Sequence, residues 1–171
     1  MSKFISIKTH IKLVSLAITA SLLISCSGGN LNQDKNSSLP MFNAVTLNNQ
    51  TLKSSDWNNK VVILNFWATS CSACIAEMPK LAEVYTKYKD KGLNMLAVSM
   101  PYDAPSYVMN FAQSRALPFP IAMDLDGKIT QSFGDITLTP TTFVYVNGKR
   151  VQKVIGEPNW QEFEALIEKS L

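Results

Sequence analysis

The feature that most constrains this chain is an apolar run that leads into a pair of cysteines and then into a helical repeat. The run is VVILNFW at residues 61–67, and the pair is CSAC at residues 71–74. A continuous apolar run between polar loops is typical of a strand buried on both faces of a sheet. Apolar residues then recur at helical spacing over residues 72–90, before Gly92. The cysteine pair is therefore expected where a central strand meets the N-terminus of a helix.

The rest of the chain from residue 41 onward also alternates between strand and helix patterns. Short strands are predicted at 42–53, as a pair around Asn48-Asn49, and further strands at 94–100, 120–124, 141–146 and 150–156. Helices are predicted at 104–115, from the Asp126-Gly127 turn to about Phe133, and at 159–170. The Asn147-Gly148 pair suits a type I′ hairpin turn between the last two strands. This order predicts an α/β fold with a mixed central sheet flanked by helices.

The first 25 residues have the pattern of a secretory signal peptide. They carry Lys3, Lys8 and Lys12 but no acid, and residues 13–24 form an uncharged, mostly apolar run. Twelve residues are fewer than the roughly 20 that a membrane-spanning helix needs. A basic start, a short apolar run and then small residues indicate export across a membrane, with removal of this segment.

Cys26 ends the signal in a pattern that resembles the lipobox of bacterial lipoproteins. In such proteins this cysteine is lipidated and becomes the first residue after cleavage; the alternative is an ordinary cleavage site with an incidental cysteine. Residues 26–40 then form a lipidated cysteine and a polar, Gly- and Ser-rich linker, and residues 41–171 form the folded domain. The chain is expected in the cell envelope, held by a lipid anchor on the outward-facing side of a membrane.

The charge balance argues against a nucleic-acid partner. The chain has 16 Lys and Arg and 13 Asp and Glu, and three of those lysines belong to the signal, so the remainder is neutral. No basic patch supports nucleic-acid binding. The single histidine, His10, also lies in the signal, which excludes Cys–His and Ser–His catalysis and histidine-ligated metal sites in the mature chain.

The cysteine pair allows three interpretations, which are half of a zinc site, a structural disulfide and a redox-active dithiol. No second cysteine pair and no histidine are available to complete a zinc site. A structural disulfide across so short a loop would constrain the unfolded chain little. The position at a strand–helix junction favours the redox interpretation, which needs no metal and no cofactor.

The same position predicts different roles for the two cysteines. Cys71 is expected at the helix N-cap, where free N–H groups and the helix dipole favour a thiolate. Cys74 lies one turn further into the helix and is expected to be more buried. Cys71 is therefore predicted to attack the partner and Cys74 to resolve the mixed disulfide.

Residues 41–171 resemble the thioredoxin-like envelope oxidoreductases of the TlpA/ResA group. The resemblance rests on several motifs in order along the chain, namely LNFWAT at 64–69, EMP at 77–79, FP at 119–120, DLDGK at 124–128, TPTTF at 139–143 and NGK at 147–149. It implies a thioredoxin fold with extra N-terminal strands and an inserted strand–helix unit. It also implies a reductant of protein disulfides, often of apocytochrome c cysteines. Because the compartment is oxidising, we expect a membrane electron donor of the thiol-reducing type to restore the dithiol. The protein is expected to be a monomer.

The resemblance also assigns roles to residues around the pair. Pro140 matches a cis-proline that faces the disulfide, and Thr139 would offer its backbone to an extended substrate. Glu77 matches an acidic residue near the cysteines, with a proton-handling role if it is buried and a solvated helix glutamate as the alternative. Four further residues are predicted to contact the substrate, Trp67, Ser70, Ser72 and Ala73, although packing is the alternative for the tryptophan. Asn65 stands where cytosolic thioredoxins carry a buried aspartate.

Other classes of protein remain as alternatives. A peroxiredoxin needs a Pro-x-x-x-Thr-x-x-Cys pattern, but Leu64 and Ala68 occupy the proline and threonine positions before Cys71. A copper-delivery protein would need wider cysteine spacing and a histidine. The sequence does not distinguish a reductant from a thiol oxidant or isomerase, or from a non-catalytic interaction module. A measurement of activity is needed to do so.

Overall fold

A five-stranded mixed sheet lies at the centre of this protein, which we describe from a computed structural model at residues 37–134 and 136–171. Its strands are β3 (Val61–Trp67), β4 (Leu93–Ser99), β5 (Ile121–Met123), β6 (Thr141–Val146) and β7 (Lys149–Ile155), in the spatial order β5-β4-β3-β6-β7. The pairs β3–β4 and β4–β5 are parallel, and the pairs β3–β6 and β6–β7 are antiparallel. The central strand is β3, and all seven of its residues are buried as the apolar run predicts.

Within the described residues, four α-helices cover the two faces of this sheet. They are α1 (Ser72–Tyr88), α2 (Pro105–Ser114), α3 (Lys128–Ser132) and α4 (Trp160–Ser170). Odd-numbered apolar residues of β3 belong to the core cluster that includes residues of α1, α2 and α4, whereas even-numbered residues share a second cluster with α3. Because side chains alternate across a strand, Asn65 of β3 lies on the same face as α1. The strand thereby directs one polar side chain toward the helix that carries the cysteines.

Two short strands precede the main sheet. They are β1 (Asn43–Val45) and β2 (Thr51–Lys53), which pair antiparallel, and a single bridge from Thr46 to Ala122 attaches them to the edge strand β5. They confirm the extra N-terminal strands, and the elements between β4 and β6, which are α2, β5 and α3, include the expected strand–helix unit. The thioredoxin-type α/β architecture is therefore the one expected from the sequence.

The structure corrects one predicted boundary of the folded domain. Residues 37–40, predicted as the end of a linker, lie against β7: Ser38 bridges Lys149, and the N–H of Leu39 donates to the carbonyl of Gly148 at 2.8 Å. Leu39 is buried in the second core cluster. Its apolar side chain and these backbone bonds make the segment part of the domain, which therefore begins before residue 41. The predicted signal peptide and Cys26 lie outside the described residues.

The remaining elements follow the predicted pattern closely. Asn147 and Gly148 both have positive φ, at 51° and 73°, as a type I′ turn requires. Helix α1 continues through Pro79 and ends at Tyr88, after which a short 3-10 turn leads to Gly92 at φ 107°. Over residues 37–134 and 136–171, no helix has the length and apolar character needed to cross a bilayer.

Candidate active site

The cysteine pair forms a disulfide at the N-terminus of α1. Cys71 is the N-cap residue, with extended backbone, and its Sγ accepts a hydrogen bond from the N–H of Cys74 at 3.1 Å. A helix begins with unpaired N–H groups and the positive end of its dipole, so this sulfur lies where negative charge is stabilised. Cys71 is partly exposed, whereas Cys74 is fully buried. The geometry therefore gives one accessible sulfur at a favourable position and one protected sulfur behind it.

We expect alkylation of the reduced protein at mildly acidic pH to label Cys71 before Cys74. The helix N-terminus favours the thiolate of Cys71 and should lower the pKa of this thiol. Of the two cysteines of the pair, only Cys71 is accessible. Mass spectrometry of peptides from the reduced, denatured and digested protein measures the order of labelling. Preferential labelling of Cys74 would contradict the assignment of roles.

A cis peptide bond between Thr139 and Pro140 faces the disulfide. The carbonyl oxygen of Thr139 lies 3.5 Å from Sγ of Cys71. The carbonyl oxygen of Pro140 accepts from the N–H of Gly156 at 2.8 Å, and the hydroxyl of Thr141 donates to the carbonyl of Leu138 at 2.7 Å. These bonds hold the loop beside the accessible sulfur. The cis geometry implied by the resemblance is confirmed.

Glu77 is buried on the same face of α1 as Cys74, three residues away. It is only 2% exposed, and its Oε1 accepts a hydrogen bond from Nδ2 of Asn65 at 2.8 Å. The same Nδ2 donates to Oγ1 of Thr142 on β6 at 2.9 Å. Within the described part of the chain, Oε2 of Glu77 and Oδ1 of Asn65 are buried without a hydrogen-bond partner. The alternative of a solvated glutamate is therefore wrong.

The surroundings of Glu77 favour its protonated form. Burial raises the pKa of Glu77 to about 7, because a charged carboxylate loses its hydration; the hydrogen bond from Asn65 opposes this rise, and the nearby charge of Glu157 adds to it. A carboxyl group with a pKa near neutrality is able to accept and release protons under physiological conditions.

The predicted substrate-contact residues are divided between surface and core. Ser70, Ser72 and Ala73 are exposed around the disulfide, and Thr139 is half-buried. Trp67 is completely buried, with its ring centroid 5.4 Å from that of Phe111. The predicted substrate contact of Trp67 is therefore wrong for this structure, because the side chain points into the core beneath α2, and packing is its role.

Asp103 is a residue near the site that sequence reasoning missed. It follows β4, is 7% exposed, and its carboxylate accepts hydrogen bonds from both the N–H and the hydroxyl of Thr69. Thr69 lies two residues before Cys71. One sequence signal was available: polar residues just beyond the carboxyl end of a parallel strand often belong to a functional site.

Over residues 37–134 and 136–171, no group of three or more His, Cys, Asp or Glu side chains is arranged so that it could hold a metal ion.

Comparison with known proteins identifies a family and similar sequences. The family model described as Redoxin matches residues 34–169. Thiol-disulfide oxidoreductase ResA of Bacillus subtilis (strain 168) is 32% identical over 152 residues, which cover 88% of this chain and 84% of that protein. Thiol-disulfide oxidoreductase ResA of Bacillus anthracis is 34% identical over 130 residues, covering 76% of this chain and 75% of that one.

Solved structures support the same fold. A thioredoxin family thiol:disulfide interchange protein from Chlorobium tepidum superimposes with a TM-score of 0.72 at 23% identity, over 79% of this chain and 96% of that chain. StoA from Bacillus subtilis superimposes with a TM-score of 0.65 at 21% identity, over 75% and 98% of the two chains. At such identities the likeness concerns the fold alone.

Proposed function

This chain belongs to the Redoxin family and is a thiol–disulfide oxidoreductase, and on that premise we propose that it reduces protein disulfides in the cell envelope. The observation that carries the proposal is the asymmetry of the cysteine pair. The partly exposed Cys71 lies at a helix N-terminus and beside the carbonyl of Thr139, while Cys74 is buried one turn behind it. The sulfur of Cys71 is placed to attack a substrate disulfide, and the sulfur of Cys74 is placed to resolve the mixed disulfide that forms.

The reaction transfers two electrons and two protons to the substrate. The thiolate of Cys71 attacks one sulfur of a substrate disulfide, a mixed disulfide forms, and the first substrate sulfur leaves and takes up a proton. The thiol of Cys74 loses its proton and attacks Sγ of Cys71, which forms the Cys71–Cys74 disulfide. The second substrate sulfur leaves and is protonated. The oxidised protein is the state that the structure describes.

Glu77 is the group that we propose to handle the proton of Cys74. It lies on the same helix face, is buried with it, and has a pKa raised to about 7. A carboxylate at this position is able to accept the thiol proton as Cys74 attacks, and a carboxylic acid to return it when the disulfide is reduced. Asn65 holds one oxygen of Glu77 and leaves the other without a partner among the described residues.

A protein substrate is proposed to bind as an extended segment beside Thr139. Its partly accessible backbone precedes the cis bond and lies against Cys71, so strand-like pairing there would bring a substrate cysteine to the attacking sulfur. The exposed Ser70, Ser72 and Ala73 would form the other side of the contact. The two cysteines of apocytochrome c are the first substrate to test.

Trapping with Cys74→Ala tests this function. Without the resolving thiol, the mixed disulfide with Cys71 accumulates, and the captured envelope proteins are identified by mass spectrometry after non-reducing separation. We expect capture of proteins with a reducible cysteine pair, lost on addition of dithiothreitol. The matched control is Cys71→Ala, which keeps one thiol but buries it. Equal capture by the two variants would contradict the proposed attack by Cys71.

The proposed location requires export and an anchor. We propose that Cys26 is lipidated and is the first residue of the mature chain, and that the linker after it keeps the domain near a membrane electron donor that restores the dithiol. The protein is proposed to act as a monomer. An oxidising compartment makes such a donor necessary, because a dithiol left alone there becomes oxidised.

Mass spectrometry of the mature N-terminus should find a diacylglycerol-modified Cys26. The reason is the coincidence of an apolar run, a small residue and a cysteine where processing is expected. Cys26→Ser should leave the protein unlipidated and released from membranes by washing. An unmodified N-terminus at another residue in the wild-type protein would show that the lipobox interpretation is wrong.

A further inference from the structure

The carboxylate of Asp103 joins two backbone turns at the ends of neighbouring parallel strands. The cysteine turn, residues 68–71, follows β3 and is closed by a 3.1 Å hydrogen bond between its first and last residues. The adjacent turn, residues 100–103, follows β4 and is closed in the same way at 3.0 Å. Thr69 of the cysteine turn donates its N–H to Oδ2 of Asp103 at 2.6 Å and its hydroxyl to Oδ1 at 2.5 Å.

This contact fixes Thr69 in both position and orientation. Two donors of one residue bind the two oxygens of one carboxylate, so neither rotation nor translation of Thr69 preserves both bonds. Asp103 is 7% exposed, so water competes little for these two hydrogen bonds. The N–H of Met100 also donates to the carbonyl of Trp67 at 2.9 Å, which extends the pairing of β3 and β4 up to the two turns.

The last residue of the cysteine turn is Cys71, which carries the attacking sulfur. Cys71 caps α1, and its Sγ has to meet two groups from different directions, the N–H of Cys74 at 3.1 Å and the carbonyl of Thr139 at 3.5 Å. Ser70 lies between Thr69 and Cys71 and is exposed. The bonds to Asp103 are therefore side-chain contacts from outside the turn that hold the approach to Cys71 in place.

We propose that Asp103 is a positioning residue for thiol–disulfide exchange, which holds the cysteine turn so that Sγ of Cys71 stays at the helix N-terminus and in line with an incoming substrate. It acts through Thr69 and does not itself touch the reacting sulfurs. The inference rests on the proposed role of Cys71 as the attacking thiol. The loop between β4 and α2, which lies outside the cysteine motif, thereby contributes to the chemistry by positioning Cys71.

Two substitutions at Asp103, made in the full-length protein and studied in its reduced form, distinguish the effect of the two hydrogen bonds from the effect of the negative charge. Asp103→Asn removes the charge but keeps both bonds, because its Oδ1 accepts from the N–H of Thr69 and its Nδ2 donates to the hydroxyl. Asp103→Ala removes both bonds. The measurement is the rate of alkylation of Cys71 as a function of pH, read by mass spectrometry of the labelled peptide, together with the rate of reduction of a model disulfide.

We expect Asp103→Ala to lower the rate of disulfide reduction about tenfold, because small displacements of reacting groups cost rate steeply. The pKa of the Cys71 thiol should rise in this variant as the sulfur leaves the helix N-terminus, whereas loss of a negative charge alone would lower it. Asp103→Asn should keep the wild-type rate. Thr69→Val, which lacks the hydroxyl, should lower the rate of disulfide reduction when Asp103 is present. It should cause no further loss when combined with Asp103→Ala. Thr69→Ser, which keeps the hydroxyl, should retain the wild-type rate.

Asp124 supplies the matched control for loss of stability alone. It is also a buried aspartate beyond the end of a parallel strand, and it accepts two backbone hydrogen bonds, from Ile129 at 3.0 Å and Thr130 at 2.7 Å, but these belong to α3. Asp124→Ala should lower the unfolding temperature and leave the exchange rate and the pKa of Cys71 unchanged.

Three outcomes would overturn the proposal. In the first, Asp103→Ala folds and reduces disulfides at the wild-type rate. In the second, Asp103→Asn and Asp103→Ala lose the same fraction of the rate, and in the third, Asp124→Ala loses as much of the rate as Asp103→Ala. A wrong assignment of Cys71 as the attacking thiol would give a different result, because alkylation of the wild-type protein would then label Cys74 first.

Discussion

Replacing Cys71 with serine is expected to abolish disulfide exchange, to the level of the uncatalysed reaction. A serine hydroxyl is not ionised near neutral pH and does not form a disulfide, so neither the first attack nor the mixed disulfide is possible. Cys74→Ser should behave differently, because Cys71 still attacks. This variant should give a rapid first step and a stable mixed disulfide, but no turnover. Reduction of insulin or of a fluorescent disulfide peptide measures both steps.

The third cysteine provides the control for this pair of variants. Cys26→Ser should retain the wild-type exchange rate in detergent solution, because Cys26 lies outside the described domain and is assigned only to anchoring. Turnover by Cys71→Ser, or a rapid first step that depends on Cys74 instead, would contradict the order of attack.

Replacing Glu77 with glutamine is expected to remove a large pH dependence from the stability of the oxidised protein. The pKa of Glu77 is raised from the ordinary value of 4.5 to about 7. Between these values the folded protein keeps a proton on Glu77 that the unfolded chain has released. Stability therefore falls as pH rises through this window, by about 3 kcal/mol for a shift of this size. Small proteins have only about 5–15 kcal/mol in total, so the change is readily measured.

Denaturant unfolding between pH 4.5 and 8 tests this prediction. The wild-type free energy of unfolding should fall across the window and level off above about pH 7, whereas that of Glu77→Gln should follow a flatter profile. Glu83→Gln is the matched control, because Glu83 lies on the same helix but is exposed and pairs with Lys80 at 2.8 Å. Superimposable profiles for wild type and Glu77→Gln would remove Glu77 from its proposed role.

The pH dependence of exchange gives a second readout of Glu77. If its charge acts on the dithiol, the ionised carboxylate raises the pKa values of the cysteine thiols. Glu77→Gln should then lower a cysteine pKa in the reduced protein. A purely structural glutamate would change stability without this shift.

The elements around the active site were predictable because their signals are local. The buried strand β3 is a seven-residue apolar run, α1 has helical spacing and a following glycine, and the Asn147-Gly148 pair specifies its own turn. The position of Cys71 at the N-cap follows directly from these neighbours. The cis bond before Pro140 did not follow from local rules, since few X–Pro bonds are cis, and it was expected only from resemblance.

The features that the sequence did not predict depend on contacts between distant residues. Asp103 and Thr69 are 34 positions apart, and no periodicity links the ends of β3 and β4 before the sheet is formed. Residues 37–40 looked like linker because serines precede the single apolar Leu39, whose burial depends on β7. The burial of Glu77 required both the helix phase and the partner Asn65 on β3. The burial of Trp67 depends on the packing of α2 over β3, which proximity to the cysteines in the sequence does not reveal.

The reduction potential of the Cys71–Cys74 pair, measured by titration with glutathione, tests the proposed direction of electron flow most directly. Ser72 and Ala73 carry no charge that would strongly stabilise the Cys71 thiolate, and a strongly stabilised thiolate is what makes a dithiol protein an oxidant. We therefore predict a potential near or below that of thioredoxin, about −270 mV. A value near that of the oxidant DsbA, about −120 mV, would contradict the proposed function as a reductant.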